Sequence, residues 1–478
     1  MSNIDKKIQT NLDLVLFSLT LDRTLRESLQ SQLTGALRSL FRGSPKFSRT
    51  RLPATRALAL ELSVSRTTVV CAYDQLISEG YLKTKVGGGT FVADQLPHLT
   101  EPTQRAAAPS EAPQAWMPFH PGVPDQTLFP HRAWSKHIER AWSTPHDDLL
   151  GRPDPFGWYP LRHAISAHLS VWRKLDCRPE QVVITSGASE AFEIIFRGLL
   201  DAEQTAVIED PGWPIMRDVL AAVGAHVLPV RIDDQGLDPE QITAPASVAI
   251  VTPSRHYPTG IPMTLSRRMA LLEWAKHQNA LVVEDDYDSE FRYQGQPLPS
   301  LGGLDNLERS IYLGSFSKLL SPALRIGYLV LPERLLAQAK AYLARFGSRA
   351  SLIPQPALAT FMDSGEFAIH LRRMRRIYAK RQSHLVSDLT GCADLLHVSP
   401  DPSGMHICAP LRPKLRHVFT DKAIADAAKK EGLHLRALSV HCVLPEPPKG
   451  LILGFAAFDE RTLSNATQKL TKLLRGLS

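Results

Sequence analysis

Lys318 stands at the end of an apolar run in the segment LGSFSKLLSPALRIGYLV, residues 313–330, with serines beside it and Arg325 seven positions on. A lysine in a partly apolar pocket loses proton affinity, because burial disfavours the ammonium, and it then attacks carbonyl groups as an amine. Serine hydroxyls and an arginine suit a phosphate dianion. An aldehyde that carries a phosphate is pyridoxal 5'-phosphate (PLP). The segment therefore predicts a PLP site, unless Lys318 is an ordinary solvated lysine.

Two motifs nearer the N-terminus could hold other parts of such a cofactor. The segment VVITSGASEAF predicts a strand, then Ser186, Gly187 and Ala188, then a helix whose first backbone N–H groups can cradle a phosphate. The segment EDPGWP puts Trp213 just after another strand, where an indole can cover a flat heteroaromatic ring. Alone, the first motif is equally an ordinary strand-to-helix turn, and the second equally a core tryptophan.

The segment VVEDDYDSEF places adjacent carboxylates at a strand end, where they raise each other's pKa unless a cation lies among them. A protonated pyridine nitrogen is such a cation, and an ionised aspartate beside it keeps the ring an electron sink. Tyr287 can hydrogen-bond the ring oxygen. A solvated acidic loop is the alternative for this motif alone. The motifs follow in chain order on successive strand ends, and together with Lys318 and Arg325 they favour PLP.

The elements that position these residues follow from the pattern after about residue 150. Apolar, β-branched runs such as QVVITSG, VAIVTPS, ALVVEDD and SIYLGS alternate there with helical patterns. This alternation predicts an α/β domain with a largely parallel sheet, in which ligands gather at the carboxyl ends of the strands. The candidate cofactor residues all fall at such ends.

The chain has 478 residues, enough for two or three domains. Residues 1–92 hold 13 lysines and arginines against 7 acidic residues, and so carry +6 of the net charge of +7. This is expected of a module that meets a polyanion. No apolar run approaches the roughly 20 residues of a membrane span, and we expect a soluble, cytoplasmic protein. The five scattered cysteines favour neither disulfides nor a metal site.

The basic N-terminal module has helical periodicity. Leucines recur at positions 25, 29, 33 and 37 of an amphipathic helix that Thr24 and Glu27 would open as a capping box. Two further helices flank a short turn, and Ser65 can cap the second of them. We expect this second helix to turn the following residues inward: Val69, Ala72, Tyr73 and Leu76.

The opposite face of the same helix offers Arg66, Thr67 and Thr68, small and basic donors of the kind that meet base edges and phosphates. Two short extended runs with lysines follow around Gly87–Gly89, which is typical of a β-wing. Helix, turn, helix, hairpin and positive charge together predict DNA binding.

Residues 52–92 resemble the GntR-type winged helix-turn-helix, whose pattern LPxxRxLAxxLxVSRxTVxxAYxxLxxEGYLxxxxGxGTFV they match nearly throughout. The resemblance implies an α+β DNA-binding domain over residues 20–93 that contacts operator double-stranded DNA. It also implies the DNA-contacting residues: Arg51, Thr55, Arg56, Ser65, Arg66, Thr67, Thr68, Tyr73, Gly88 and Thr90.

A proline-rich linker is predicted over residues 94–118, because this stretch carries five prolines and no periodicity. Residues 119–478 resemble a fold-type I, class I aminotransferase domain in PEQVVITSGA, EDPGWP, PTG, EDDYDSEF, GSFSK and LRIGY. A large α/β part would span about 150–335 and a smaller α+β part about 336–478. The whole arrangement resembles the MocR/GabR family of PLP-dependent transcriptional regulators.

That resemblance implies the roles of individual residues. Lys318 would form the internal aldimine, Asp285 would pair with the pyridine nitrogen, Tyr287 would meet the ring oxygen and Trp213 would stack on the ring. The phosphate would be held by Ser186, Gly187, Ala188, Ser315, Ser317 and Arg325.

Three positions depart from the aminotransferase pattern. Tyr257 stands where the enzymes have an asparagine that supports the ring oxygen, so it would tune the ring differently. Ile452 replaces the arginine that clamps a substrate carboxylate, so a standard α-amino acid loses its anchor unless Arg436 or His256 substitutes. Arg152 stands in place of a tyrosine that reaches a neighbour's phosphate.

These features leave three functions to weigh. In the one we favour, a small amine or amino-acid effector exchanges with the Lys318 aldimine and alters operator binding. The alternative is a working PLP-dependent aminotransferase with an appended DNA-binding domain, against which the missing arginine counts. A PLP domain kept only as a scaffold would not need such costly buried polar groups. The resemblance also implies a head-to-tail homodimer, while the effector, an ω-amino acid or PLP itself among the candidates, stays open.

Overall fold

The structure is a computed structural model in two compact units, Met1–Gln114 and Ala115–Ser478. We call them the N-terminal and the C-terminal unit. Most of the predicted linker, and Arg152, lie outside the described residues. Those residues are 12–96 apart from 14, 17, 26, 44–46 and 86, and 116–477 apart from 152, 201–203 and 297.

The N-terminal unit packs helices beside a two-stranded hairpin. These elements are α1 (Leu29–Gly43), α2 (Thr55–Glu61), α3 (Arg66–Ser78), β1 (Leu82–Lys85) and β2 (Gly89–Val92). The strands run antiparallel, with Leu82 opposite Val92 and Lys85 opposite Gly89. The inward face predicted for α3 is confirmed, because its buried residues are Val69, Ala72, Tyr73 and Leu76.

The predicted leucine-rich helix begins later than expected. Thr24 donates its backbone N–H and its hydroxyl to the Asp22 carboxylate at 2.8 and 2.6 Å, and Leu25 is 56% exposed. Helix α1 starts at Leu29, and the hydroxyl of the preceding Ser28 accepts the N–H of Ser31 at 3.2 Å. The predicted capping box is therefore wrong, because Asp22 binds the polar groups of Thr24 locally.

The C-terminal unit is built on an eight-stranded sheet in the order β3-β10-β9-β8-β7-β4-β5-β6. Strands β9, β8, β7, β4 and β5 run parallel, and β10 is antiparallel to both of its neighbours. The predicted α/β fold with a largely parallel sheet is confirmed. The strands are β3 (Val182–Thr185), β4 (Thr205–Asp210), β5 (His226–Asp233), β6 (Gly236–Leu237), β7 (Val248–Val251), β8 (Leu281–Asp286), β9 (Ser310–Ser315) and β10 (Gly327–Val330).

Helices cover both faces of this sheet, because its strands are apolar on both sides. Ile208, Ile250 and Val283 belong to one buried cluster, and Val207 and Val251 belong to another. The helices are α4 (His131–Ser143), α5 (Asp147–Leu150), α6 (Tyr159–Arg173), α7 (Ala188–Glu193), α8 (Pro214–Ala222), α9 (Leu265–His277), α10 (Leu301–Leu304), α11 (Phe316–Leu319), α12 (Leu336–Phe346), α13 (Gln355–Asp363) and α14 (Glu366–Asp388).

A smaller antiparallel sheet follows, in the order β11-β13-β12. It consists of β11 (His406–Pro410), β12 (Arg436–Ala437) and β13 (Gly450–Gly454), with α15 (Pro413–Arg416), α16 (Asp421–Lys430) and α17 (Glu460–Leu477). No helix in the described ranges is long and apolar enough to cross a membrane.

Two of the acids at the end of β8 are neutralised by a buried arginine. Arg173, the last residue of α6, is 1% exposed. Its Nη2 lies 2.7 Å from Glu284 Oε1, and its Nε lies 2.8 Å from Asp286 Oδ2. The Tyr312 hydroxyl also donates to Asp286, at 2.6 Å. Because side chains alternate along a strand, the intervening Asp285 points to the other face, away from this arginine.

Replacing Arg173 with methionine should lower the free energy of unfolding by about 3–5 kcal/mol, because it leaves two buried carboxylates without their cation. Urea unfolding followed by circular dichroism measures the loss. Arg178→Ala is the control, because it removes an exposed ion pair between Arg178 (58% exposed) and Glu333 (74% exposed). It should barely change the urea midpoint of unfolding. Equal losses in the two variants would contradict the buried network.

Candidate functional site

The candidate cofactor residues converge on the carboxyl edge of the parallel strands. Trp213 follows β4, Tyr257 follows β7, Asp285 is the penultimate residue of β8, and Ser315 ends β9. The one-turn helix α11 comes next and carries Lys318. These four strands are neighbours in the order β4, β7, β8, β9, whereas the motif after β3, which is first in the sequence, lies beyond β9 and β10.

Lys318 is held close to the beginning of the C-terminal unit. Its Nζ donates to the carbonyl oxygen of Gly122 at 2.6 Å. Burial lowers the pKa of Lys318 below its usual value of 10.5; the Asp288 carboxylate opposes this, and the Arg436 guanidinium adds to it. A larger fraction of this amine is therefore unprotonated, and nucleophilic, than in an exposed lysine.

Asp285 is a partly buried acid that faces the lysine side of the sheet. Burial, and then the charge of Asp286, raise the pKa of Asp285 to about 7, while Lys318 opposes the rise. Within the described part of the chain, no donor binds its carboxylate. A protonated ring nitrogen would supply both the missing hydrogen bond and the missing positive charge.

Glu209, the residue before the end of β4, is a second buried acid near the site that the sequence analysis did not identify. It accepts the N–H and the hydroxyl of Thr252 at 2.9 and 2.6 Å. Burial raises the pKa of Glu209 to about 7, and the neighbouring Asp285 contributes to the rise. The two acids therefore disfavour each other's ionisation, and a cation at Asp285 would relieve both.

Arg255 is the most important residue that the sequence analysis missed. It is 2% exposed, and its Nη1 donates to the Tyr287 hydroxyl at 2.9 Å. Its Nε and Nη2 donate to Asp401 at 3.0 and 2.8 Å, and Nη2 also donates to the His406 carbonyl at 2.7 Å. Arg255 thereby fixes Tyr287 and ties the large sheet to the small one. The only signal in the sequence was its place two residues before Tyr257.

Tyr257 stands among other rings. Its centroid lies 5.7 Å from that of Tyr287, 5.5 Å from His406 and 5.3 Å from His441, each in edge-to-face geometry. Burial raises the pKa of Tyr257, and the charge and hydrogen bond of Arg436 oppose the rise. The Tyr257 hydroxyl is thus directed towards Arg436 at the site.

Arg436 and His256 were the two candidates for the missing carboxylate anchor, and the structure separates them. Arg436 in β12 lies directly opposite Ile452 in β13, and its charge reaches both Lys318 and Tyr257. His256 is 1% exposed, and its ring nitrogens lie 3.0 Å from the Pro211 carbonyl and 2.7 Å from the Thr259 hydroxyl. Arg436 is therefore at the site, whereas both nitrogens of His256 are occupied.

The residues predicted to hold a phosphate surround a concave turn after β3. Gly187 has φ +127°, and a Cβ added there would meet nothing within 4 Å, so this side of the turn is open. The backbone N–H of Ser186 instead donates to the Glu190 carboxylate at 2.6 Å, which removes that donor from the cradle. Ala188 begins α7.

The opposite wall of the cradle comes from the segment after β9. The Ser315 hydroxyl accepts the N–H of Ser317 at 3.2 Å and so caps α11. Arg325 has left-handed backbone, φ +52°, and an exposed side chain. Trp213 is partly buried against the same apolar cluster as Ile208. These positions suit a phosphate and a flat ring.

The residues predicted to contact DNA gather around the start of α3 in the N-terminal unit. The Ser65 hydroxyl accepts the N–H of Thr68 at 3.0 Å and caps the helix. Nine of the ten predicted contacts are exposed or partly exposed: Arg51, Thr55, Arg56, Ser65, Arg66, Thr67, Thr68, Gly88 and Thr90. Tyr73 differs, because it is 3% exposed and its hydroxyl donates to the Pro53 carbonyl at 3.1 Å; it packs behind the face.

The wing is joined to this face by backbone pairing. Leu52 N–H donates to the Thr90 carbonyl at 2.8 Å, and Arg51 forms an isolated antiparallel bridge with Phe91. A Cβ on Gly89 would lie 3.0 Å from Arg51 Nε. The absence of a side chain at Gly89 therefore lets the Arg51 guanidinium lie across the tip of the wing.

Known protein families match both units of the chain. Residues 47–92 match the family of bacterial regulatory proteins, gntR family, and residues 123–470 match aminotransferase class I and II. The chain is 36% identical to the probable rhizopine catabolism regulatory protein MocR of Rhizobium meliloti, over 95% of each chain. It is 34% identical to the HTH-type pyridoxine biosynthesis transcriptional regulator PdxR of Corynebacterium glutamicum, over 91% of this chain and 94% of the relative.

Among solved structures, an archaeal alanine:glyoxylate aminotransferase superposes with a TM-score of 0.69 at 21% identity, over 76% of this chain and 92% of the other. The fold and site thus define a transcriptional regulator in which a winged helix-turn-helix is joined to an aminotransferase-like domain. The chain belongs to the MocR/GabR family of such regulators. An aminotransferase domain of this class implies PLP as the cofactor, and the amine of Lys318, the unsatisfied Asp285 and the open turn at Gly187 fit it.

Lys318 should combine with PLP at a lower pH than an ordinary lysine does. Because its pKa lies below 10.5, the unprotonated fraction reaches its plateau earlier as the pH rises. The rate at which the visible absorbance band appears after PLP is added, measured from pH 6 to 11, checks this against Nα-acetyl-lysine amide. Coincident pH profiles would contradict a buried, destabilised ammonium, and Lys318→Ala should give no band.

Arg66→Ala should weaken operator binding and reduce the slope of log affinity against log salt concentration by about 1, the value for one lost phosphate contact. Fluorescence anisotropy with labelled operator at several salt concentrations measures both. Lys340→Ala in α12 removes the same charge from an exposed position of the other unit and should change neither. An unchanged slope for Arg66→Ala would remove this residue from the DNA interface.

Proposed function

We propose that this regulator senses a small amine or amino acid through PLP held at Lys318, and that the effector alters its affinity for operator double-stranded DNA. The observation that carries the proposal is that Lys318 and Asp285 are close enough for the charge of each to shift the pKa of the other. A low-pKa amine and a partly buried acid without a donor thus lie near each other in a chain that also has an exposed recognition helix. A chain that only bound DNA would gain nothing from burying these groups.

Bound PLP supplies an aldehyde that condenses with primary amines. In the proposal Lys318 gives the protein's own amine, Asp285 accepts the ring N–H, Tyr287 and Tyr257 lie towards the ring oxygen, and Trp213 covers the ring. Arg255 keeps the Tyr287 hydroxyl in place. The phosphate is assigned to the residues around the cradle: Ser186 through its side chain, Gly187, Ala188, Ser315, Ser317 and Arg325.

The effector amine competes with Lys318 for the aldehyde, and we assign its carboxylate to Arg436. Support comes from the position of Arg436 opposite Ile452 and from its effect on the pKa of Lys318. Because Arg436 lies on the strand beside the one that carries Ile452, its guanidinium enters the site from a different position than an arginine at residue 452 would. This favours an effector whose amine and carboxylate are spaced differently from those of an α-amino acid, such as an ω-amino acid.

On the DNA side, we assign base and phosphate contacts to Arg66, Thr67 and Thr68 at the start of α3, with Arg51 and Thr90 on the wing. We further propose a head-to-tail homodimer, as the family resemblance implies. A dimer would present two recognition helices to a repeated operator. A protein that acts on operator DNA in a bacterial cell would work in the cytoplasm.

One experiment tests the proposal. The visible spectrum of the PLP-loaded protein is recorded while amines and amino acids are titrated, and the anisotropy of labelled operator is followed in the same cuvette. We expect one effector class to shift a Lys318-dependent band and the operator affinity at the same concentrations. Decay of the band with many turnovers of keto acid would make the protein an aminotransferase instead, and no band would leave a scaffold on DNA.

Arg436→Gln separates effector recognition from cofactor binding in this experiment. Loss of a charge-assisted hydrogen bond should raise the effector concentration needed for half the response about 10- to 100-fold, with the band of the effector-free protein retained. Ile452→Val is the matched control in the facing strand and should leave the response unchanged. An unaltered response of Arg436→Gln would remove the carboxylate assignment without touching the PLP assignment.

A further inference from the structure

The first ten described residues of the C-terminal unit form a strap that contacts the small sheet at one end and Lys318 at the other. The strap comprises residues 116–125 and is the continuation of the chain that leads from the N-terminal unit. We propose that the strap reports the covalent state of Lys318: it is seated when the Lys318 amine is free and loosened when that amine is bonded to PLP. The inference deepens the proposed function, on which its link to the effector rests.

One end of the strap is bonded to the small sheet. The Pro118 carbonyl accepts the N–H of His434 at 2.8 Å, and the Phe119 carbonyl accepts the N–H of Gly454 at 2.8 Å. Phe119 is fully buried. Gly454 has no room for a side chain, since a Cβ there would lie 2.1 Å from the His120 carbonyl oxygen. The backbone of the strap therefore runs in contact with β13.

Aromatic rings extend this contact to the start of the strap. The His120 ring lies between Trp116 and His434, with centroid distances of 4.4 Å to each and edge-to-face geometry. Burial lowers the pKa of His120 to about 4, so the stack is uncharged near neutral pH. Trp116 is 51% exposed and lies within the predicted linker, residues 94–118.

The other end of the strap is bonded to the lysine and to the core. Lys318 Nζ donates to the Gly122 carbonyl at 2.6 Å. Gly122 has φ +72°, a backbone conformation that favours glycine, and a Cβ there would crowd that same Nζ at 3.3 Å. Three residues on, Asp125 is paired with buried Arg381 at 2.8 Å. The Gly122 contact is thus the movable one of two attachments.

The chemistry of Lys318 decides whether this contact exists. A free lysine amine has N–H donors for the Gly122 carbonyl. A lysine nitrogen bonded to the aldehyde carbon of PLP would keep at most one N–H and would be a weaker donor to that carbonyl. If an effector amine took over the bond to that carbon, its nitrogen would give up the protons that Lys318 needs to regain a free amine. No oxidant or reductant is needed. The effector thereby restores the donor that seats the strap.

Of three states of the protein, two should have the same strap conformation. The PLP-free protein and the protein with PLP and effector both have a free Lys318 amine, so their straps should be seated alike. The protein with PLP alone should differ from both. The strap is continuous in sequence with the N-terminal unit. A change in how tightly the strap is bound can therefore be passed along the chain to the DNA-binding unit.

Hydrogen exchange with mass spectrometry tests the proposal on the full chain. Peptides that contain the amides of His434 and Gly454 report the two bonds to the strap. We expect these amides to exchange about tenfold faster in the PLP-loaded protein than in the other two states, the effect of losing one charge-assisted hydrogen bond on local opening. In Lys318→Met, which cannot donate or bind PLP covalently, they should exchange fast with and without PLP.

Equal exchange at these amides in the PLP-free and PLP-loaded wild type would overturn the strap, even if the absorbance band and the effector response are both present. A missing band or response would instead overturn the proposed function, and the comparison of PLP-free protein with Lys318→Met would still decide the contact to Gly122. Trp116→Ala should keep the spectral shift but reduce the effect of effector on operator affinity. Trp142→Ala, a partly exposed tryptophan in α4, should leave that effect intact.

Discussion

Strand β8 ends in three consecutive carboxylates, and much of the polar interior of the C-terminal unit serves to limit the repulsion between their charges. Alternation along the strand directs Glu284 and Asp286 to one face, where Arg173 neutralises them, and Asp285 to the other. The face with the arginine is thereby complete within the protein, while the other retains an acid that is difficult to ionise. A cofactor with a protonated ring nitrogen would supply the positive charge that this acid lacks.

The same edge of the sheet is connected to the small sheet by two polar attachments. The Arg255 guanidinium donates to Asp401 and to the His406 carbonyl, and it also donates to the Tyr287 hydroxyl. The second attachment is the strap, which bonds to β13 at one end and accepts the Lys318 amine at Gly122. The first attachment is centred on a buried arginine. The second depends on a reactive amine, so any chemistry at that amine is mechanically connected to the small sheet.

The sequence predicted what depends on local pattern and chain order. Apolar runs predicted the parallel strands, strand ends predicted the edge where Lys318, Asp285 and Trp213 lie, and Ser65 predicted the start of α3. Contacts between residues distant in sequence were not predictable: Arg255 and Asp401 are 146 positions apart, and nothing in either segment requires the other. The capping box predicted at Thr24 was wrong for the opposite reason. Asp22, only two residues away, binds the N–H and hydroxyl of Thr24, so these groups do not cap a helix.

Arg436 and Ile452 are opposite residues of one antiparallel pair, so their side chains leave the sheet on the same side, about 5 Å apart at Cβ. An arginine can therefore occupy either of these two positions without any movement of the backbone. Moving it from one strand to the other alters the angle between a bound anion and the reactive amine, and leaves the affinity for the anion nearly unchanged. On one scaffold, retention of a ligand and its chemical conversion can thus evolve separately.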